Sequence, residues 1–230
     1  MTPDRLERVV STLNRRQPDL TVITDEVYKS HNQAAIARTC DAFAIQDIHV
    51  VWPAGQFRLS NATAAGSESW VTVNSHADIT TAITDLKQQG FRVCAAHLTD
   101  RATDFREYDF TQPTALLMGT EKEGVSDLAA ELCDEHLIIP MYGMVQSFNV
   151  SVAAAIILNE ATRQREAAGL FDQRRISDER FEQLLFEWCQ PSATRLCQKY
   201  NLPYPALRED GEIADPQAFS QLINEQTPKD

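Results

Sequence analysis

Three short stretches of this chain hold polar side chains where core packing would accept almost any apolar residue. In the first, Gln146, Ser147 and Asn149 lie between the glycine-bearing turn at Gly143 and a run of small apolar residues from Val150 to Leu158. A serine and an asparagine just ahead of a helix can aim side-chain oxygens and free backbone amides at a ligand, or can simply cap the helix. In the second, Gly119 and Gly124 bracket Thr120, Glu121, Lys122 and Glu123 directly after an expected strand. Such a turn either admits a ligand close to its amides or is a plain tight turn. It has neither the GxGxxG nor the GxxxxGK[ST] pattern, and Val125-Ser126 after Gly124 argues against Walker-type nucleotide binding. In the third, His31-Asn32 precedes a helical run in which Arg38 follows Ala34, Ala35, Ile36 and Ala37. Asn32 is placed to cap that helix. A charge on an apolar face needs a partner, either an acid such as Asp41 or Glu121 or a substrate.

The elements that must position these stretches can be read from apolar runs and breakers. Strands are expected at 20–23, 48–52, 70–73, 91–96, 114–118 and 137–139, and helices at 3–17, 34–43, 79–89, 127–133 and 149–166. Leu6, Val9, Val10 and Leu13 share one face of the first helix, Pro18-Asp19 stops it, and Gly90 closes another. Residues 53–69 form a long connection rich in Gly, Ala and Ser. Short apolar strands alternating with helices imply an α/β domain with a mostly parallel sheet. From about residue 170 the composition turns polar. Phe181, Leu184, Leu185 and Trp188 supply helix-face anchors there, and the stretch from Tyr200 to Pro205 is a rigid interruption. The expected division is an N-terminal helical extension (1–18), a central domain (19–168) and a helical C-terminal extension (169–230).

A length of 230 residues, 43% hydrophobic and 23% charged, fits a globular chain with a sizeable core. The net charge of -12 excludes a generic, uniformly basic nucleic-acid binder. Two local clusters run against that balance: Arg5, Arg8, Arg15 and Arg16 near the start, and Arg163, Arg165, Arg174, Arg175 and Arg180 later. Each is either a solvated helix face or a docking surface for a polyanion. Cys40, Cys94, Cys133, Cys189 and Cys197 never form a CxxC pair, and the five histidines are scattered. Reduced, buried thiols and no metal site are expected. No apolar run is long enough for a membrane span, and Asp4, Arg5, Glu7 and Arg8 occupy the place of a signal peptide, so a cytoplasmic protein is expected.

Taken together, three ordered motifs resemble the SPOUT superfamily of RNA methyltransferases, in its SpoU branch. They run from Lys29 to Asp41, from Leu117 to Ser126, and from Ile139 to Ala153. The flanks, from Arg16 to Val22, from Asp104 to Asp109 and from Leu202 to Pro205, are similar to those of the tRNA guanosine-2'-O-methyltransferases of that branch. The likeness covers roughly residues 5 to 205. Two departures are small: Ser30 replaces a usual proline and Phe148 a commoner leucine.

The resemblance implies a deep C-terminal trefoil knot, which general topology rules would not suggest. It implies an S-adenosylmethionine site at Met118, Gly119, Gly124, Ile139, Met141, Met144, Ser147, Asn149 and Val150. It further implies a homodimer and methylation of the ribose 2'-hydroxyl of guanosine 18 in the tRNA D-loop, with no DNA or membrane partner. The same chemistry on ribosomal RNA, or a non-catalytic dimeric RNA-binding adaptor, are the alternatives. Arg38 takes the activating role, and Asn32, Glu121, Ser147 and Asn149 orient it, the ribose or the cofactor. A guanidinium is a poor proton acceptor, so Arg38 either becomes transiently basic or holds phosphate and stabilises the developing alkoxide. The tRNA contacts would fall on Arg8, Arg15, Arg16, Arg163, Arg165 and Arg174.

Overall fold

The computed structural model describes residues 1–52, 70–120 and 123–226. They fall into two compact units, one spanning Arg16–Gln173 and the other combining Met1–Arg15 with Arg174–Asp230.

The first unit is built on a sheet of strands β1 (Leu20–Asp25), β2 (Asp47–Val51), β3 (Thr72–His76), β4 (Arg92–Ala96), β5 (Thr103–Asp104), β6 (Thr114–Met118) and β7 (Glu135–Ile138). Their order is β3-β2-β1-β6-β4-β7-β5, and every pairing is parallel. Successive side chains on a strand point to opposite faces, so each central strand must be apolar on both. Leu116 and Met118 of β6 face one side with Val22, beneath α2 (Ser30–Ala42) and α5 (Val150–Ala167). Ala115 and Leu117 face the other with Ile23, beneath α3 (Ile79–Gln88) and α4 (Asp127–Leu132). Burial on both faces explains why 114–118 reads as an unbroken apolar run.

Several expected boundaries shift. α2 begins at Ser30, so Asn32 lies inside its first turn and Lys29 is the capping position, without a side-chain cap. The cap expected of Asn32 is therefore absent. β5 was hidden in a polar stretch because a two-residue edge strand carries no periodicity. The connection at 53–69 lies outside the described residues.

Two arginines expected on RNA-facing surfaces are instead fully buried. Arg16 Nη2 donates to Asp41 Oδ1 at 2.7 Å and to the Trp70 carbonyl at 2.9 Å, and burial lowers its pKa. Arg165 Nη1 donates to Asp19 Oδ1 at 2.6 Å, and its Nε to the Phe110 carbonyl at 2.8 Å. A buried guanidinium persists only with such partners, and both tie distant segments of the unit together. The expectation that Arg16 and Arg165 meet RNA is overturned.

The second unit contains α1 (Pro3–Asn14), α6 (Asp178–Cys189), α7 (Pro191–Tyr200) and α8 (Pro216–Gln226). Val9 and Leu13 of α1 are buried, as are Leu184 and Trp188 among the expected anchors. Tyr204, from the stretch expected to be rigid, stacks on Phe186 with ring centroids 4.6 Å apart. All five cysteines are buried and free. Among the described residues no helix is long and apolar enough to cross a membrane, and no group of His, Cys, Asp or Glu could hold a metal ion.

Candidate active site

At the C-terminal ends of β6, β4 and β7 the chain encloses a cleft of about 300 Å³. Crevices beyond the carboxyl ends of parallel strands are where α/β sheets bind ligands, because loops diverge there and leave amides open. Met118, Gly119 and Gly124 form one wall, and Ile139, Met141, Ser147 and Val150 another. The 119–124 turn closes on itself: Thr120 N donates to the Gly124 carbonyl at 2.8 Å, and Gly124 N to the Thr120 carbonyl at 3.1 Å. A Cβ on Gly119 would lie 2.1 Å from the Gly124 oxygen, so no other residue fits there. Gly124 adopts a φ of +71°, open to glycine at little cost.

A side-chain hydrogen bond joins motifs one and three. Asn149 caps α5, accepting from Ser151 N at 2.9 Å, and its Nδ2 donates to Asn32 Oδ1 at 3.1 Å. Asn32 is buried in the first turn of α2. The capping reading of Asn149 holds, and its amide also reaches a second motif; neither Asn149 nor Asn32 is among the residues that line the cleft.

Other expected site residues fall elsewhere. Met144 is 98% exposed and does not line the cleft. Arg38 is exposed on α2, also outside the cleft lining. Among the described residues no carboxylate pairs with it, and Asp41, one suggested partner, binds Arg16. Glu121 lies outside the described residues. Of the remaining arginines expected to meet RNA, Arg8 and Arg15 are exposed, while Arg163 pairs with Glu160 at 2.6 Å and Arg174 with Asp178.

The cleft also holds residues that the motifs did not point to, chiefly His97, Leu98 and Leu137. His97 directly follows the apolar run of β4, and that position at a parallel strand's carboxyl end was the available signal. Its pKa is lowered, first by burial and then by the neighbouring His136, against the opposing pull of Asp127.

The wall chemistry suits a ligand that has both apolar and polar parts. Met118, Leu137, Ile139, Phe148 and Val150 supply the apolar area, and Thr120, Gln146, Ser147 and His97 the polar groups. A larger groove of about 700 Å³ in the second unit, lined by Leu6, Val10, Glu7 and Asp210, brings together no comparable set.

Residues 19–159 match the SpoU rRNA Methylase family, and residues 163–216 match the C-terminal SpoU rRNA methylase family. The tRNA (guanosine(18)-2'-O)-methyltransferase of Escherichia coli K12 is 47% identical over 215 residues, 93% of this chain and 94% of that protein. The crystal structure of the Aquifex aeolicus TrmH/SpoU tRNA modifying enzyme superposes with a TM-score of 0.75 at 39% identity, covering 80% of this chain and 94% of that one. An AdoMet-bound rRNA methyltransferase from Sinorhizobium meliloti is similar at 27% identity and a TM-score of 0.57, over 67% of this chain and 59% of that one. The family match over residues 19–159 and the 47% identity across 93% of the chain show that the chain belongs to the SpoU methylase family.

Proposed function

We propose that this protein transfers a methyl group from S-adenosylmethionine to the ribose 2'-hydroxyl of guanosine 18 in the D-loop of tRNA. The observation that carries the reading is the Asn149–Asn32 hydrogen bond beside a cleft of suitable chemistry, in a chain 47% identical to an enzyme of that activity. Bound in the cleft, the cofactor supplies an electrophilic methyl on a sulfonium. Met118, Ile139, Met141 and Val150 would hold its apolar parts, and the backbones at Gly119 and Gly124 would allow close approach. The protein's task is then alignment of an in-line displacement and handling of the hydroxyl proton. Asn32 and Asn149, fixed to one another, set the position of ribose against the methyl. Arg38, exposed and without an acid among the described residues, is suited to hold the adjacent phosphate and stabilise the developing alkoxide. Glu121 and Ser147 complete the proposed set.

The reading extends to assembly. Tyr142, Met144, Val145 and Val152 are large apolar side chains left exposed around the third motif, which supports a homodimer closing over this edge. A deep knot, with the 119–124 and 139–150 segments sharing one cleft, and a cytoplasmic location alongside tRNA belong to the same proposal. The terminal unit, with Arg8 and Arg15, would serve tRNA docking. Incubation with labelled S-adenosylmethionine and separate tRNA and rRNA pools, followed by nucleoside mapping, tests the reading. Label in 2'-O-methylguanosine at position 18 is expected; label confined to rRNA would transfer the reaction to that substrate.

A further inference from the structure

The cleft wall contains two titratable groups among its described residues, Glu123 and His97. Glu123 is exposed at the turn, whereas His97 is partly buried and backed by a second ring. Its imidazole packs edge-on to His136, with centroids 5.5 Å apart and planes at 72°. His136 is itself buried and held on both nitrogens. Thr99 Oγ1 lies 2.9 Å from its Nδ1, and Arg101 Nη2 lies 2.7 Å from its Nε2 while also donating to the Ala130 carbonyl at 3.0 Å. Nε2 also lies 2.9 Å from the Ala130 carbonyl, so the same nitrogen meets a donor in Arg101 and an acceptor in Ala130, and the ring is held in either tautomer. The 99–101 segment and α4 thus fix the ring behind His97, and His97 lines the cleft at the front.

We propose that His97 is a recognition residue of this cleft, whose charge state sets how strongly it holds a sulfonium-bearing ligand relative to the uncharged thioether. The inference rests on the reading of the cleft as an S-adenosylmethionine site. The cofactor and S-adenosylhomocysteine differ by one methyl and one fixed positive charge, so their affinity ratio isolates that charge. A neutral imidazole tolerates the cation; a protonated one repels it, more strongly in a partly buried site than in water. Burial, and then His136, keep His97 uncharged to below the ordinary histidine value, while Asp127 opposes them. Among the described residues, Arg101 beside His136 and Glu123 in the cleft lining are further charged groups of this region.

The sign follows from this. Above its lowered pKa His97 is neutral and the cofactor is held well; as pH falls through that value, cofactor affinity drops and thioether affinity changes less. Calorimetry on the full chain with each ligand should show the cofactor-to-thioether affinity ratio falling by about fivefold between roughly pH 7.5 and pH 5.5, a span that brackets the ordinary imidazole range. His97→Gln should flatten that dependence. NMR titration of the His97 ring in the unsubstituted protein provides a second measurement independent of the variant's folding. By linkage the cofactor should lower its midpoint more than the thioether does. A midpoint equal in both complexes, or an unchanged pH dependence in the substituted protein, overturns the role of His97 while leaving the cofactor site in place. Failure of S-adenosylmethionine to bind at any pH overturns the site itself.

Discussion

Asn149 Nδ2 donates to Asn32 Oδ1 across 3.1 Å, joining the loop before α5 to the first turn of α2 although 117 residues separate them. The two asparagines use different atoms for different tasks, since Asn149 Oδ1 is occupied by Ser151 N at 2.9 Å and Ser151 Oγ at 2.6 Å. Capping and cross-motif contact are therefore separable by substitution.

Asn149→Asp retains the capping oxygen and replaces the donor to Asn32 with an acceptor. Stability should stay within about 1 kcal/mol of the parent, the size of a full capping interaction, while methyl transfer falls at least about tenfold, a loss of roughly 1.4 kcal/mol at the transition state. Thermal unfolding and single-turnover methylation measure the two separately. Parent-like turnover would leave the asparagine as a cap and nothing more.

Arg38 is expected to act through charge rather than as a base. Arg38→Ala should abolish turnover with cofactor affinity and unfolding temperature unchanged, because no carboxylate among the described residues depends on it. Arg38→Lys distinguishes the two accounts. A lysine still holds a phosphate as a point charge, so partial activity with a raised KM for tRNA is expected. A lysine variant whose rate rises with pH as its amine deprotonates would instead favour proton abstraction.

Arg165 offers a contrasting test. It is fully buried, and its partners Asp19, Phe110 and Gln112 belong to segments before β1 and before β6. Removing one member of a buried pair strands the other, at a cost of about 3 kcal/mol or more. Arg165→Met should lower the urea midpoint markedly and leave the salt dependence of tRNA binding as it was. A stable variant with weakened tRNA binding would return Arg165 to the RNA surface.

These contrasts also show what the chain made legible. The run 114–118 announced a strand buried on both faces, and the glycines at 119 and 124 announced a tight turn, because each depends on local geometry. Met118, Ile139, Met141, Ser147 and Val150 converge on one cleft, and the ordered motifs had already grouped them. Arg16 and Arg165 resisted, since an arginine in a polar context has the same sequence signature whether it meets water or a buried aspartate. His97, just past the end of β4, and His136, on β7, lie 39 positions apart, and the β4–β7 pairing brings them together. Sheet order is a property of long-range contacts, and no window of sequence contains it.

With Arg16 removed from the set, docking of tRNA through the terminal unit rests on Arg8 and Arg15, both exposed at α1 and its end. The acidic total of -12 makes a local positive surface necessary if phosphate is to be held there at all. Each phosphate neutralised releases condensed counterions, so the logarithm of affinity falls with the logarithm of salt in proportion to the contacts made. The double substitution Arg8→Ala with Arg15→Ala should weaken tRNA binding and make that slope shallower by about 1.5 to 2. S-adenosylmethionine affinity, which depends on the other unit, should not move. Filter binding over a salt series and calorimetry with the cofactor provide the two measurements. Should affinity and slope both stay at the parent values, α1 is not the docking surface, and Arg163 and Arg174, each exposed enough to exchange its acidic partner for phosphate, become the residues to substitute next.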